Sequence, residues 1–258
     1  MTAPLSPLPN PTPDNYQFDQ NTLKDKKILI TGAGDGIGKT AALTFAQAGA
    51  TVILLGRTQA KLEAVYDEIL AAGGPEPFIF VMDFANTSAE DYQTLADAIG
   101  QELGHLDGLL HNAGVLGMRT PLSNYKDQAW QQVMDINLNS NFYLTKALLP
   151  YLEASPQGRI LFTSSSVGRK GRAYWGAYAI SKFAVEGLMQ TLADELENTS
   201  NIRVNSINPG GTRTAMRAQA YPAEAADKIK SPEMLMGLYV YLMSDDSQAI
   251  HGQMIDFQ

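Results

Sequence analysis

The chain runs to 258 residues, 45% hydrophobic and 18% charged; the length suits one α/β domain as well as two small ones, and the composition is that of a core-forming chain rather than a disordered one. Nineteen Lys and Arg against twenty-seven Asp and Glu leave a net charge of −8, so neither nucleic acid nor a membrane surface is expected as a partner. Cysteine is absent and the three histidines, His105, His111 and His251, stand far apart in sequence; disulfides, thiolate chemistry and a metal centre are not expected.

Residues 1–20 carry Pro4, Pro7, Pro9, Pro11 and Pro13, which remove backbone donors and favour extended chain, so a flexible or surface-draped arm is predicted there. From Lys26 onward strands and helices alternate. A strand over 26–31 leads into glycines, and a helix follows over about 37–48. Residues 51–55 read as a strand, and Leu62, Val65 and Ile69 repeat at helical spacing after it. A strand over 78–82, a helix over 88–103 and a strand over 106–110 come next. One long helical region covers 126–152. Then follow a strand at 159–163, a helix at 174–196, a strand at 202–207, a helix at 232–243 and a closing strand at 252–257. No apolar run approaches the roughly 18–20 residues that span a bilayer, and the amino terminus lacks a signal-peptide pattern. A cytoplasmic enzyme is the expectation. Short buried strands alternating with helices predict a doubly wound parallel sheet covered on both faces, with 21–258 as a single domain.

The first strand runs into Thr31-Gly32-Ala33-Gly34-Asp35-Gly36-Ile37-Gly38. Glycines between a strand and a helix let the backbone turn tightly and approach a diphosphate at the helix N-terminus, as in Rossmann-type sheets. The alternative is a tight turn that binds nothing. The second strand ends Leu54-Leu55-Gly56-Arg57-Thr58, with no acid to accept from a ribose 2′-hydroxyl. Gly56 leaves space and Arg57 can pair with a 2′-phosphate, a charge-assisted bond worth roughly 1.5–3 kcal/mol. NADP(H) is therefore expected over NAD(H), which is not excluded; an Arg57 that merely points to solvent is the competing reading.

Tyr178 and Lys182 form Y-x-x-x-K and share one helical face. A phenol with a pKa of about 10 is a poor base near neutrality, and a neighbouring cation lowers that value. Alone the pair is a chance-level match. Upstream, Thr163-Ser164-Ser165-Ser166-Val167-Gly168 offers several hydroxyls and leaves the choice among them open.

The spacing T-G-x-x-x-G-x-G at Gly32, Gly36 and Gly38, with Asn112-Ala113-Gly114, Y-x-x-x-K and Asn208-Pro209-Gly210-Gly211-Thr212-Arg213-Thr214, resembles the short-chain dehydrogenase/reductase family in its compact branch, from about residue 26 to 257. The segments around Ser165–Ala184 and Gly210–Arg217 look closest to its YciK-like bacterial subgroup. The resemblance implies that Gly32, Asp35, Gly36, Ile37 and Gly38 surround a diphosphate and that Arg57 meets a 2′-phosphate. It implies that Asp83 and Phe84 border the adenine, and that Asn112, Ala113 and Gly114 brace the sheet beside the nucleotide. Pro209, Gly210, Thr212 and Thr214 would meet the carboxamide and diphosphate. A thirteen-residue spacing to Tyr178 selects Ser165, which would hydrogen-bond the substrate oxygen. Tyr178 would act as acid or base, Lys182 would hold the nicotinamide ribose and tune Tyr178, and Asn137 would hold a water that relays protons to Lys182. Two positions depart from the pattern. Asp35 stands where NADP enzymes of the family often place a base, and His111 replaces a more usual Asn, read as a packing variant.

The implied activity is NADPH-dependent reduction of a small-molecule carbonyl to an alcohol, or the reverse. The implied assembly is a homodimer or homotetramer through helices at 126–153 and 174–197. A nucleotide-sensing binder without turnover is the alternative. Segments 115–122, 166–177 and 211–222, expected around the substrate, contain Arg119, Arg169, Lys170, Arg172, Arg213 and Arg217 and no acid. They suggest an anionic substrate by electrostatic steering. Bases on a rim, on coenzyme phosphates or between subunits are the plainer alternative.

Overall fold

The computed structural model describes residues 16–257. Residues 1–15 of the predicted arm lie outside the described residues. Residues 16–20 lie on the body: Tyr16 packs edge-on against Tyr241 at 5.2 Å between ring centroids, and its hydroxyl donates to Asp246 at 2.5 Å.

Seven strands, β1 (Lys27–Thr31), β2 (Thr51–Gly56), β3 (Phe78–Val81), β4 (Gly108–His111), β5 (Arg159–Thr163), β6 (Arg203–Asn208) and β7 (Met254–Asp256), form one parallel sheet in the order β3-β2-β1-β4-β5-β6-β7. Alternate residues of each strand feed opposite faces. Ile28, Ile30 and Leu54 enter one core with α1 (Gly36–Gln47), α2 (Gln59–Ala71) and α8 (Met236–Met243). Leu29, Ile53 and Leu55 enter the other with α3 (Ala89–Leu103), α5 (Ser140–Glu153) and α6 (Gly176–Leu196). Both faces are covered, which is why the central strands read as unbroken apolar runs. The doubly wound parallel sheet expected from the alternation is observed.

After β3 the chain crosses back to place β4 beside β1, so the strand order reverses there and a crevice opens at the carboxyl ends of these two strands. Two features differ from expectation. The helical region at 126–152 is not one helix: α4 (Asp127–Met134) passes into a π turn over Asp135–Asn139 before α5 begins. A short helix, α7 (Ala215–Ala220), follows β6 where no helix is predicted. Among the described residues no helix is long and apolar enough to cross a membrane.

Candidate active site

The crevice is a cleft of about 790 Å³ across the carboxyl ends of the strands. Its floor is the β1–α1 loop. Gly32 and Gly36 have φ of +69° and +52°, left-handed backbone that a side chain would strain. Thr31 binds the loop to its neighbour: its hydroxyl donates to the Leu110 carbonyl and accepts from Asn112 N at 2.9 Å and Ala113 N at 3.0 Å. Gly38 faces away from the cleft. A Cβ there would stand 2.6 Å from Asn112 Nδ2, with the Gly32 carbonyl oxygen closer still, so only glycine lets α1 close on the loop.

At the β2 end Arg57 lines the cleft and is exposed. Asp35, the position that departs from the family pattern, caps α1 by accepting from Gly36 N at 2.8 Å and pairs with Lys61 Nζ at 2.6 Å. The Lys61 hydrogen bond is the main reason the Asp35 carboxyl lies below the ordinary carboxylate range. Lys61 lines the cleft beside Arg57 and was not foreseen from the sequence; its place four residues after Arg57, in the first turn of α2, is the signal available there. Asp83 caps its own turn, accepting from Ala85 N and Asn86 Nδ2, and Phe84 stacks on Tyr92; both line the cleft.

Helix α6 carries Tyr178 and Lys182 one turn apart, both buried. Lys182 Nζ donates to the Thr163 carbonyl at 2.7 Å and stands 5.7 Å from the Tyr178 ring centroid. Burial pulls its pKa down to about 8, opposed by Glu186 one turn further along the helix. Burial pushes the Tyr178 phenol above its ordinary value, and a hydrogen bond with Ser165 pulls the other way. Burial is the larger influence on the phenol in the chain itself; the tuning expected of Lys182 includes the positive charge of a bound nicotinamide ring. Of the three serines, Ser165 is the one joined to Tyr178; Ser164 is buried and Ser166 is exposed.

Asn137 lies in the π turn, fully buried and off the cleft wall. Its Oδ1 accepts from Val115 N at 2.8 Å, and its Nδ2 donates to the Val115 carbonyl at 3.0 Å and to Ser181 Oγ at 3.1 Å. One amide therefore joins the loop after β4 to α6. His111 is buried, 2.7 Å from Thr145 Oγ1 through Nε2 and stacked on Phe162; burial holds its pKa down to about 3, so it is neutral packing.

Beyond β6, Pro209, Gly210, Thr212 and Thr214 line the cleft as expected. The Thr214 hydroxyl caps α7, accepting from Arg217 N at 3.1 Å. Of the six loop bases, four have partners for their side chains, and Lys170 and Arg213 are exposed. Arg169 pairs with Glu186, Arg172 donates to the Tyr221 hydroxyl, Arg119 donates to the Ala220 carbonyl, and Arg217 is held by Glu224. Only Arg217 of the six lines the cleft. The partners Glu186 and Glu224 lie outside the three loop segments and offset two of the six positive charges.

Gly32, Asp35, Gly36, Ile37, Arg57, Asp83, Phe84, Asn112, Ala113, Gly114, Ser165, Tyr178, Lys182, Pro209, Gly210, Thr212 and Thr214 thus meet at one cleft, while Gly38 and Asn137 stand behind it. Over residues 26–225 the chain matches the short chain dehydrogenase family. It is 53% identical over 244 residues to the uncharacterized oxidoreductase YciK of Escherichia coli (strain K12), covering 95% of this chain and 96% of that protein. The fold superposes with a TM-score of 0.93 on a short chain dehydrogenase from Pseudomonas syringae, 54% identical, covering 95% of this chain and 99% of the other. A short chain dehydrogenase from Shigella flexneri 2a (strain 301), solved in complex with NADP, gives a TM-score of 0.90 at 53% identity, covering 92% of this chain and 99% of the other.

Proposed function

The chain belongs to the short-chain dehydrogenase family, and we propose that it is an NADP(H)-dependent oxidoreductase that reduces a small carbonyl compound to its alcohol. The observation that carries this reading is the meeting of Ser165, Tyr178 and Lys182 at the wall of a glycine-floored cleft.

The residues present fit a dinucleotide. Bare left-handed backbone at Gly32 and Gly36 beside the α1 N-terminus suits a diphosphate. Arg57 and Lys61 would hold a 2′-phosphate, Asp83 and Phe84 the adenosine, and Asn112, Ala113 and Gly114 the groove between the β1 and β4 ends. Pro209, Gly210, Thr212 and Thr214 would meet the carboxamide end, and Tyr178 and Lys182 the nicotinamide ribose. The NADP complex of the Shigella relative supports the choice of coenzyme. When bound, the coenzyme supplies the hydride.

Ser165 donates a hydrogen bond to the carbonyl oxygen, and Tyr178 delivers the proton to it as charge develops. A phenol whose pKa is raised by burial is protonated at neutral pH, which suits the acid role in the reductive direction. Lys182, held by its hydrogen bond to the Thr163 carbonyl, would contact the nicotinamide ribose and stabilise the phenolate left behind. Asn137 is a positioning residue that fixes the Val115 loop against α6. Exposed Phe142, Tyr143, Ile180 and Phe183 on α5 and α6 support a homodimer or homotetramer through these helices, which light scattering tests.

Stereospecific transfer of deuterium from labelled NADPH to members of a ketone and aldehyde panel is the direct test. Coenzyme binding with no transfer to any carbonyl would instead favour the nucleotide-sensing role.

A further inference from the structure

We infer that the carbonyl compound accepted here is uncharged, with an apolar or aromatic body, and that the Glu224–Arg217 pair enforces this. The inference rests on the oxidoreductase reading and adds the substrate class to it.

Around Tyr178 the wall of the cleft is apolar: Leu116, Met118, Trp175, Met216 and Ala220 line it, and the polar residues Gln132 and Gln219 are uncharged amides. Three cations at this end, Arg119, Arg217 and Lys182, have partners of their own. Arg119 is a strap rather than a ligand. Its guanidinium carbon lies 4.9 Å from the Trp175 ring centroid and 5.2 Å from that of Tyr221, and it donates to the Ala220 carbonyl at the end of α7. This ties together the loop after β4, the segment before α6, and α7. Arg217 does line the cleft, but its Nε and Nη2 bond both Glu224 oxygens at 2.6 and 2.7 Å while its guanidinium carbon sits 3.9 Å over Tyr221. Lys182 is held by Thr163. A carboxylate entering beside Met216 would displace Glu224 from Arg217 or remain unpaired in an apolar pocket, and both outcomes oppose binding.

The test uses matched triples built on one aromatic ketone: the parent, its ring carboxylate and the methyl ester of that carboxylate. NADPH fluorescence titration comes first, then kcat/KM for each compound. Parent and ester should exceed the carboxylate by at least about tenfold, the scale of one unpaired charge in a partly wet site. In Glu224→Gln, Arg217 is released and the carboxylate-to-ester ratio should rise at least about threefold, a fraction of one charge-assisted bond. A carboxylate that equals or exceeds its ester in the wild type overturns the inference, as does an unchanged ratio in Glu224→Gln. If NADPH binds but no compound is reduced, the oxidoreductase reading is decided separately by the ketone and aldehyde panel. The substrate class is then judged by thermal shift of the NADPH complex: stabilisation by parent and ester over carboxylate upholds it, and the reverse order overturns it.

Discussion

Lys61, in the first turn of α2 and four residues after Arg57, closes a 2.6 Å ion pair on the rim of the cleft with Asp35, the N-cap of α1. The pair explains how an acid is tolerated where a 2′-phosphate would approach, because Lys61 cancels it and leaves Arg57 as the surplus charge. Arg57→Ala and Lys61→Ala should each weaken NADPH binding by about tenfold and leave NADH nearly unchanged. Asp35→Asn keeps a good helix cap and should tighten NADPH severalfold by releasing Lys61. Fluorescence titration with both coenzymes decides; equal losses for NADPH and NADH in Lys61→Ala would remove the phosphate role.

Replacing Tyr178 with Phe removes the proposed acid while keeping the ring packed against Trp175. The turnover rate should fall at least ~100-fold with NADPH affinity retained. Full activity in this variant would end the assignment.

The burial of Lys182 predicts a pH profile. Its pKa of about 8 belongs to the free enzyme, so kcat/KM for NADPH should fall above about pH 8 as the ammonium is lost. Glu186 raises that pKa, and Glu186→Gln should move the break to lower pH. A break that stays in place shows that a different group titrates.

His111 predicts an acid sensitivity. Its folded pKa of about 3 lies below the ordinary 6.5, so between these values the unfolded chain binds more protons than the folded one. Stability is therefore lost as pH falls from 6.5 toward 3. His111→Asn removes the titrating group, and its melting temperature should drop less than that of the wild type between pH 6.5 and 4. Parallel melting curves would assign the acid sensitivity elsewhere.

Gly38→Ala drives a methyl group against Asn112 Nδ2 and the Gly32 carbonyl. The cost should be about 1–3 kcal/mol of stability, with coenzyme binding lost before the fold is. Denaturant midpoints measured beside NADPH titration would separate the two effects.

The sheet was legible because strands covered on both faces must be apolar throughout, and the glycine loop because left-handed backbone leaves few residue choices. What escaped was tertiary. Asp135-Ile136-Asn137-Leu138-Asn139 has ordinary helical composition, and only the bonds from Asn137 to Val115 and Ser181 mark the π turn. For Lys61 the spacing from Arg57 is the one sequence signal; its pairing with Asp35 follows from α1 and α2 lying side by side. Two of the six loop cations, Arg169 and Arg217, are offset by Glu186 and Glu224, acids that lie outside the loop segments.

The π turn also bears on how this protein tolerates deletion. It winds in one residue more than an α-helix requires, a device common near functional sites. Excising Leu138 would let the neighbouring amides adopt ordinary four-residue spacing, giving the straighter, better-bonded rod. Asn137 would then swing about 100° around the axis and leave the Val115 loop unclamped. Three buried hydrogen bonds would be lost with it, so the shortened chain should be less heat-resistant as well as inert.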